Sequence, residues 1–150
     1  MAFVSVRAMV LGLAIGLGSA SPGVGPALHA EELGSAESTA IQTAVQRQFD
    51  AFDRDDAAAA FAQASSAARD QFGTPERFMA MVKERYQPVY RRRSVIFTGV
   101  DRIDGLTIQS ARVTDSEDRV WVALYHMQRD ADGQWRILGC QLLETKSIST

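Results

Sequence analysis

Few side chains in this sequence could act as a general base or as a nucleophile. His126 is the one histidine beyond residue 30, and it ends a strand-like run of alternating apolar residues. A neutral imidazole there could be a general base, a pH-sensitive switch or a ligand contact, although a strand-end histidine bonded to a backbone group would give the same pattern. Combined with Tyr125 or Asp50 in one pocket, His126 would give a small isomerase-like or hydrolase-like enzyme.

Asp50 and Cys140 are weaker candidates for chemistry. Asp50 follows Phe49 in a helical apolar stripe and could reach the mouth of a pocket, but carboxylates on helices are mostly solvated. Cys140 lies in the middle of a predicted strand, which favours a small buried apolar role over a nucleophilic thiolate. One histidine and one cysteine fall short of the three or four ligands of a zinc site. We therefore assign no catalytic residue outright and predict neither a metal nor a cofactor.

One aromatic and basic cluster could bind a small anionic ligand. It joins Tyr86 and Tyr90 to the arginines at residues 91–93, and adjacent arginines can hold a phosphate or a carboxylate bidentately. In a strand, however, the middle arginine points away from its neighbours, and a solvated strand entry would explain the same residues. With the two large aromatic residues of the C-terminal strands, the predicted ligand-binding set is Tyr86, Tyr90, Arg91, Arg93, Trp121 and Trp135.

The strands that position these groups are predicted at residues 119–127 and 134–144. The polar run between them ends in Asp132-Gly133, and an Asp-Gly pair between apolar runs indicates a hairpin. Successive side chains alternate between the two faces of a strand, so Tyr125 and His126 point in opposite directions. On the second strand the same alternation groups Trp135, Ile137, Gly139 and Leu143 against Leu138, Cys140 and Leu142.

Both faces of this hairpin are mostly apolar. An antiparallel strand with one face in water normally alternates apolar and polar residues, so we expect both faces to be covered. The upstream helices can cover one face, and a second copy of the chain or a ligand would cover the other. The pattern thus predicts a homodimer through one sheet face, although strand ends and loops folding over that face would also satisfy it.

Upstream of the hairpin, the sequence predicts four helical pieces and then two more strands. Ile41, Val45, Phe49 and Phe52 form one helical stripe, after a capping-box pattern that starts at Thr39. Shorter helices are predicted at residues 57–64, capped by Asp55 or Asp56, at residues 65–72, stopped by Gly73, and from a cap at Thr74 to a stop at residue 88.

The first two strands are predicted at residues 94–103 and 106–114, with residues 90–93 leading into the first. Asp104-Gly105 turns the chain between them. Helices that precede an antiparallel meander of four strands indicate an α+β fold.

Residues 1–30 have the composition of a signal peptide. Arg7 is the only charged side chain before Glu31, and the apolar run that follows Arg7 is too short to cross about 30 Å of hydrocarbon. Cleavage after Ala30 is favoured because an abruptly polar segment follows, with Ala27 and Ala20 as alternatives. We therefore expect a periplasmic or secreted protein with a single α+β domain at residues 31–150 and no membrane span after signal removal.

The chain beyond residue 30 carries 15 basic and 18 acidic side chains, a formal charge of −3. This balance is ordinary for a soluble protein and argues against bulk nucleic-acid binding. A single cysteine cannot form an internal disulfide, so stability has to come from a packed core. About 120 residues suffice for one such core and not for two domains.

Two resemblances follow from these residues. Residues 48–52, the alanine-rich second helix and the closing run at residues 132–137 resemble the cone-shaped fold of nuclear transport factor two and ketosteroid isomerase. More closely, nearly all of the chain beyond the signal resembles domain of unknown function 4864, a family of small secreted bacterial proteins. The second match is carried by Ala64-Ser65, residues 71–76, Pro88-Val89-Tyr90, Arg93-Ser94-Val95, Leu124-Tyr125, Trp135-Arg136-Ile137 and Gly139-Cys140.

Neither resemblance implies an activity for this chain. The closer family has no assigned function, and the cone fold hosts many. Enzymes that resemble ketosteroid isomerase need a carboxylate base inside the pocket, whereas the strand carboxylates here lie at strand ends or in turns. This departure weighs against isomerase chemistry.

Three functions fit these features. We favour an exported, non-catalytic module that binds a small molecule or a protein partner in or over the cone and forms a dimer. The alternative is an enzyme that uses His126 with Tyr125 or Asp50, which requires two of these groups to reach one enclosed cavity. The third is a structural or assembly protein, which would have a filled cone with no cavity.

Overall fold

The computed structural model describes residues 33–146, so the predicted signal peptide at residues 1–30 lies outside the described residues. Within the described part, the chain forms five helices, α1 to α5: Ser35–Asp53, Ala57–Ala62, Ser66–Phe72, Pro75–Arg85 and Gln87–Tyr90. Four strands follow, β1 to β4: Ser94–Ile103, Leu106–Thr114, Val120–Arg129 and Trp135–Glu144. Helices followed by one antiparallel sheet confirm the predicted α+β class, while the cone-like form stays a prediction.

Two helices begin at caps that the sequence predicts, and α3 begins at a cap, Ser65, that was predicted as the first residue of the helix. The Asp56 carboxylate accepts a hydrogen bond from Ala59 N at 3.0 Å at the start of α2. Ser65 and Thr74 open α3 and α4 in the same way, each accepting from the N–H three residues on at 3.2 Å. Each bond satisfies one of the free N–H groups in the first turn of a helix. None of the described helices is both long and apolar enough to cross a membrane.

Two predicted helix boundaries are wrong. α1 begins at Ser35 rather than at Thr39, because Thr39 Oγ1 donates to Ser35 O at 2.8 Å and the residue lies inside the helix instead of capping it. The chain also forms the short helix α5 where we predicted a helix end at Pro88 and a strand entry from Tyr90. Proline fits the first turn of a helix, since the N–H that it lacks would have no intrahelical partner there.

The four strands pair in chain order, each antiparallel to the next. Ile103 of β1 pairs with Leu106 of β2 across the turn Asp104-Gly105, whose φ angles are 51° and 78°. Two consecutive residues with positive φ are the mark of a type I′ hairpin, and glycine adopts that conformation without steric cost. Gly133, with φ of 79°, closes the β3–β4 connection. Both predicted Asp-Gly turns are thereby confirmed.

A β-bulge at Leu138 changes which side chains of β4 face the helices. Met127 of β3 pairs with Ile137 of β4, and the adjacent His126 pairs with Gly139. Leu138 therefore has no partner on β3. Ile137 and Cys140 therefore lie on the same face of the sheet, and Leu143 lies on the other. The predicted grouping of Ile137 with Leu143 is wrong, because strict alternation does not hold across a bulge.

The helical side of the sheet contains the core. Ile41, Val45, Phe49 and Phe52 of α1 are buried, as the predicted stripe requires. The Phe49 ring meets the Tyr125 ring edge to face with the centroids 5.8 Å apart, an arrangement that favours aromatic pairs. α1 is thus fixed against the middle of β3, the strand that carries the candidate chemistry.

The opposite face of the sheet is open in the single chain. Ile96 and Leu143 are 60% and 45% exposed. They belong to one cross-strand row with Val122, which is half-buried, and with Arg112. Helices cover one face only, so apolar side chains on the other face remain in contact with water.

Candidate functional site

A cavity of about 350 Å³ opens between the helices and the C-terminal strands. Its volume falls in the range of small-molecule sites, about 300–1,000 Å³. The polar part of its wall consists of Gln48, Gln71, Arg85, Tyr86, Tyr125 and Cys140. The apolar side chains that form most of the wall are Phe52, Ala64, Ala68, Phe72, Phe78, Met81, Val82, Val89, Ile137 and Leu138.

Tyr125 gives the inner wall of this cavity a buried hydroxyl group. Its side chain is 1% exposed, and its Oη has no hydrogen-bond partner of ordinary geometry among the described residues. The Cys140 thiol, opposite it on β4, is a weak partner. Burial raises the pKa of Tyr125 well above the ordinary value for a tyrosine, and the neighbouring Cys140 thiol acts in the same direction. The group is therefore a neutral phenol whose proton can be donated to an acceptor.

Two further polar groups line the cavity beside Tyr125. Burial raises the pKa of the Cys140 thiol to about 12, against a smaller lowering effect of the Tyr125 hydroxyl, so the thiol is protonated at neutral pH. The Tyr86 hydroxyl donates to Cys140 O at 2.9 Å, and burial raises the pKa of Tyr86. This hydrogen bond fixes the orientation of Tyr86, which lies between α4 and α5, against β4.

Gln48 places an amide group in the wall from α1. The residue is 4% exposed, and its Nε2 donates to Ala60 O at 3.3 Å. Gln48 was not predicted as a site residue, although a glutamine among the buried stripe residues of α1 was a usable signal. Cys140, predicted as a small buried apolar residue, is a buried, protonated thiol in the wall of the cavity.

The structure separates the three candidate catalytic residues. Tyr125 lines the cavity on the helical side, whereas His126 lies on the open face of the sheet, half-buried. Asp50 is exposed on α1, where it accepts a hydrogen bond from Gln46 Nε2 at 2.8 Å. The described residues that line the cavity include no carboxylate and no histidine. Across residues 33–146, no three His, Cys, Asp or Glu side chains are grouped as metal ligands would be.

Comparison with known proteins places the chain in a family. A model of the family described as domain of unknown function (DUF4864) matches residues 34–150, which include every described element from α1 to β4. The chain belongs to the DUF4864 family. No curated protein and no solved structure matches it.

In this DUF4864 protein, each arginine of the predicted anion-binding run is paired with an aspartate. Arg91 Nη2 lies 2.9 Å from both carboxylate oxygens of Asp55, and Arg92 Nη2 lies 2.9 Å from Asp53 Oδ2. Arg93 pairs with an aspartate in the β2–β3 turn. The run follows the short helix α5 and not a strand, so the predicted strand alternation of its side chains does not apply. Anion binding there stays a prediction, and these internal ion pairs weigh against it.

The aromatic members of the predicted ligand-binding set lie in different places in the DUF4864 fold. Tyr90 donates its hydroxyl to Asp55 and thereby lowers the pKa of that carboxyl group, with a further contribution from Arg91. Trp121 Nε1 donates to Asp115 Oδ2 at 2.9 Å in the β2–β3 turn. Tyr86 lines the first cavity, and Trp135 lines a second one. The six predicted residues therefore do not form one site.

Proposed function

We propose that this protein is an exported, non-catalytic module that binds a small, uncharged and largely apolar molecule in the first cavity. The ligand carries a hydrogen-bond acceptor, such as a carbonyl oxygen, that accepts from the Tyr125 hydroxyl. One observation carries the proposal: this hydroxyl is fully buried in the wall of a cavity, and the Cys140 thiol, a weak hydrogen-bonding group, is the one partner beside it among the described residues. A buried hydroxyl without a full hydrogen bond costs up to about 1–3 kcal/mol, which a ligand acceptor would relieve.

The chemistry of the wall supports binding rather than catalysis. Burial raises the pKa values of Tyr86, Tyr125 and Cys140, so all three keep their protons at neutral pH. An effective general base has a pKa near the working pH, which these groups do not have. Arg85 is the one charged side chain among the described lining residues, so a cationic ligand would lose its hydration without gaining a counter-ion, and the mostly apolar rest of the wall suits an apolar ligand.

Acetylnaphthalene and ethylnaphthalene test this proposal, because they share an aromatic body and differ in one carbonyl oxygen. We expect acetylnaphthalene to raise the melting temperature of the protein more than ethylnaphthalene does, since a ligand of the folded state stabilises it. In Tyr125→Phe the advantage of the ketone should disappear, a loss of about tenfold in affinity for one hydrogen bond. Equal effects of the two compounds on the unaltered protein would contradict the role of Tyr125, and no effect of either would contradict the ligand class.

Two neighbouring alanines of α3 provide a matched control for the position of the ligand. Ala68 is buried in the cavity wall, whereas Ala67 is exposed beside it. Ala68→Leu fills part of the cavity and should abolish the increase in melting temperature, while Ala67→Leu should preserve it. Unchanged binding by Ala68→Leu would show that the compounds bind elsewhere.

We also propose that two copies of the module pair through the open face of the sheet. Exposed apolar patches commonly mark protein contacts, and the row of Ile96, Val122 and Leu143 crosses this face. Arg112 of β2 and Asp101 of β1 lie on the same face at different positions along the strands, since Arg112 pairs with Ile96 and Asp101 pairs with Ile108. A two-fold axis between them would set Arg112 of each copy near Asp101 of the other, so the contact is self-complementary.

A further inference from the structure

A second cavity, of about 400 Å³, lies between the first half of α1 and the β3–β4 turn. It shares no lining residue with the first cavity. Among the described residues that line it, Arg47, Arg129 and Arg136 contribute positive charge, and Glu37 contributes the one carboxylate. Glu37 lies 3.9 Å from Arg102, which neutralises part of its charge. The wall of this cavity is therefore positively charged.

Hydrogen-bond donors are left unpaired in this wall. Trp135 Nε1 and Arg136 Nε are buried and have no hydrogen-bond partner among the described residues. Arg136 is held in place by Asp132 Oδ2 at 3.2 Å and by Trp135 O at 3.3 Å, and these contacts use its terminal nitrogens only. The Arg129 guanidinium lies 5.4 Å from the centroid of the Trp135 ring. Within the described chain, Arg47 has no ion-pair partner.

We propose that this second cavity binds an oxyanion, the carboxylate or phosphate group of a small molecule. Guanidinium groups bind both oxyanions through charge-assisted, often bidentate hydrogen bonds, and an indole N–H can donate to a third oxygen. A buried donor without a partner costs about 1–3 kcal/mol, which an oxyanion would relieve at Trp135 and Arg136. The ligand class is opposite in polarity to that of the first cavity, so this second site goes beyond the proposed function and does not depend on it.

The second cavity also differs from the arginine run at residues 91–93 in one decisive respect. There each guanidinium lies against an aspartate of its own. Here Arg136 pairs with Asp132, but Arg47 and Arg129 have no ion-pair partner among the described residues, and Glu37 is already engaged by Arg102. The positive charge of Arg47 and Arg129 is thus left for a ligand, whereas that of the run is neutralised within the fold.

Fluorescence of Trp135 can report on the second cavity. The sequence contains two tryptophans, so Trp121→Phe leaves Trp135 as the only one. We expect inorganic phosphate, or succinate as the carboxylate probe, to change the emission in a saturable way, while chloride at equal ionic strength does not. The probe that binds with the higher affinity shows whether the site prefers a phosphate or a carboxylate group. A response that does not saturate and equals that of chloride would overturn the proposal.

Arginine variants separate binding in the cavity from general attraction of anions. Arg47→Gln and Arg129→Gln should each weaken binding of the tighter probe at least tenfold. Arg77→Gln, an exposed position of α4 remote from this wall, should leave it unchanged. Equal losses of affinity in all three variants would show that the anion responds to surface charge in general, and this would refute the site. If Trp121→Phe does not fold, the phosphorus NMR signal of phosphate can be measured with the unaltered protein. The proposal requires that this protein broadens the signal and that Arg47→Gln does not.

Discussion

The β2–β3 turn is organised by one buried carboxylate, and its removal gives the sharpest test of the fold. Asp115 is 3% exposed, and it accepts four hydrogen bonds of 2.9 Å from Glu117 N, Arg119 N, Arg119 Nε and Trp121 Nε1. Burial acts to raise the pKa of Asp115, but the hydrogen bonds outweigh it and lower the pKa to about 2. We predict that Asp115→Asn, which keeps the shape but turns one acceptor into a donor, destabilises the protein.

The size and the pH dependence of this effect follow from the pKa. A fall from 3.8 to about 2 corresponds to about 2 kcal/mol of folding free energy. Because the folded-state pKa of Asp115 is depressed, this stability is fully present above about pH 4 and is lost as the pH falls towards about 2. At neutral pH, Asp115→Asn should therefore lower the free energy of unfolding by about 2–4 kcal/mol, including the lost charge-assisted bonds. The difference between the two proteins should narrow with acidification.

Urea unfolding followed by circular dichroism, at a series of pH values, measures both quantities. Asp70→Asn is the matched control, since Asp70 is an exposed carboxylate of α3. We expect that control to change the free energy of unfolding by less than about 0.5 kcal/mol at any pH. A difference between Asp115→Asn and the unaltered protein that stays constant from neutral to acid would refute the assignment of this stability to the carboxylate charge.

Two further predictions concern the dimer and export. In native mass spectrometry the protein should be a dimer that Val122→Glu converts to a folded monomer, while Ala67→Glu on α3 leaves it a dimer; a monomeric unaltered protein would contradict the sheet-face contact. Residues 1–30 fused to alkaline phosphatase should give an active enzyme in bacteria, because that reporter needs disulfides formed outside the cytoplasm. Leu13→Arg, which places a charge in the apolar run, should abolish that activity, and equal activity of the two fusions would contradict the signal peptide.

The parts of the fold that depend on local chemistry could be predicted from the sequence. A side chain that caps a helix, such as Asp56 or Thr74, bonds a backbone group only three residues away. Asp104-Gly105 determines its turn through its own φ angles. The spacing from Ile41 to Phe52 reflects the helix period and needs no knowledge of the partner surface. In each case the cause and its effect lie within a few residues of each other.

The candidate sites could not be predicted in the same way, because they depend on contacts between residues far apart in the chain. Arg91 appeared available for a ligand in the sequence, but Asp55, 36 residues earlier, accepts its hydrogen bonds. Conversely, the three arginines of the second cavity come from α1, β3 and β4 and form no cluster in the sequence. Trp135 was predicted as a ligand contact, yet its neighbours in the wall emerge only from the packing of α1 against the turn.

The bulge at Leu138 explains why Cys140 lies in the wall of the first cavity. With strict alternation from Ile137, β4 would turn Gly139 towards the helices and Cys140 towards the open face. The extra residue instead places Cys140 directly opposite Tyr125. The connection between α2 and α3 holds the bulge, since Ile137 donates its N–H to Gln63 O and accepts from Ser65 N, both at 2.8 Å. The helices that close the cavity therefore also set the β4 register that directs the Cys140 side chain inwards.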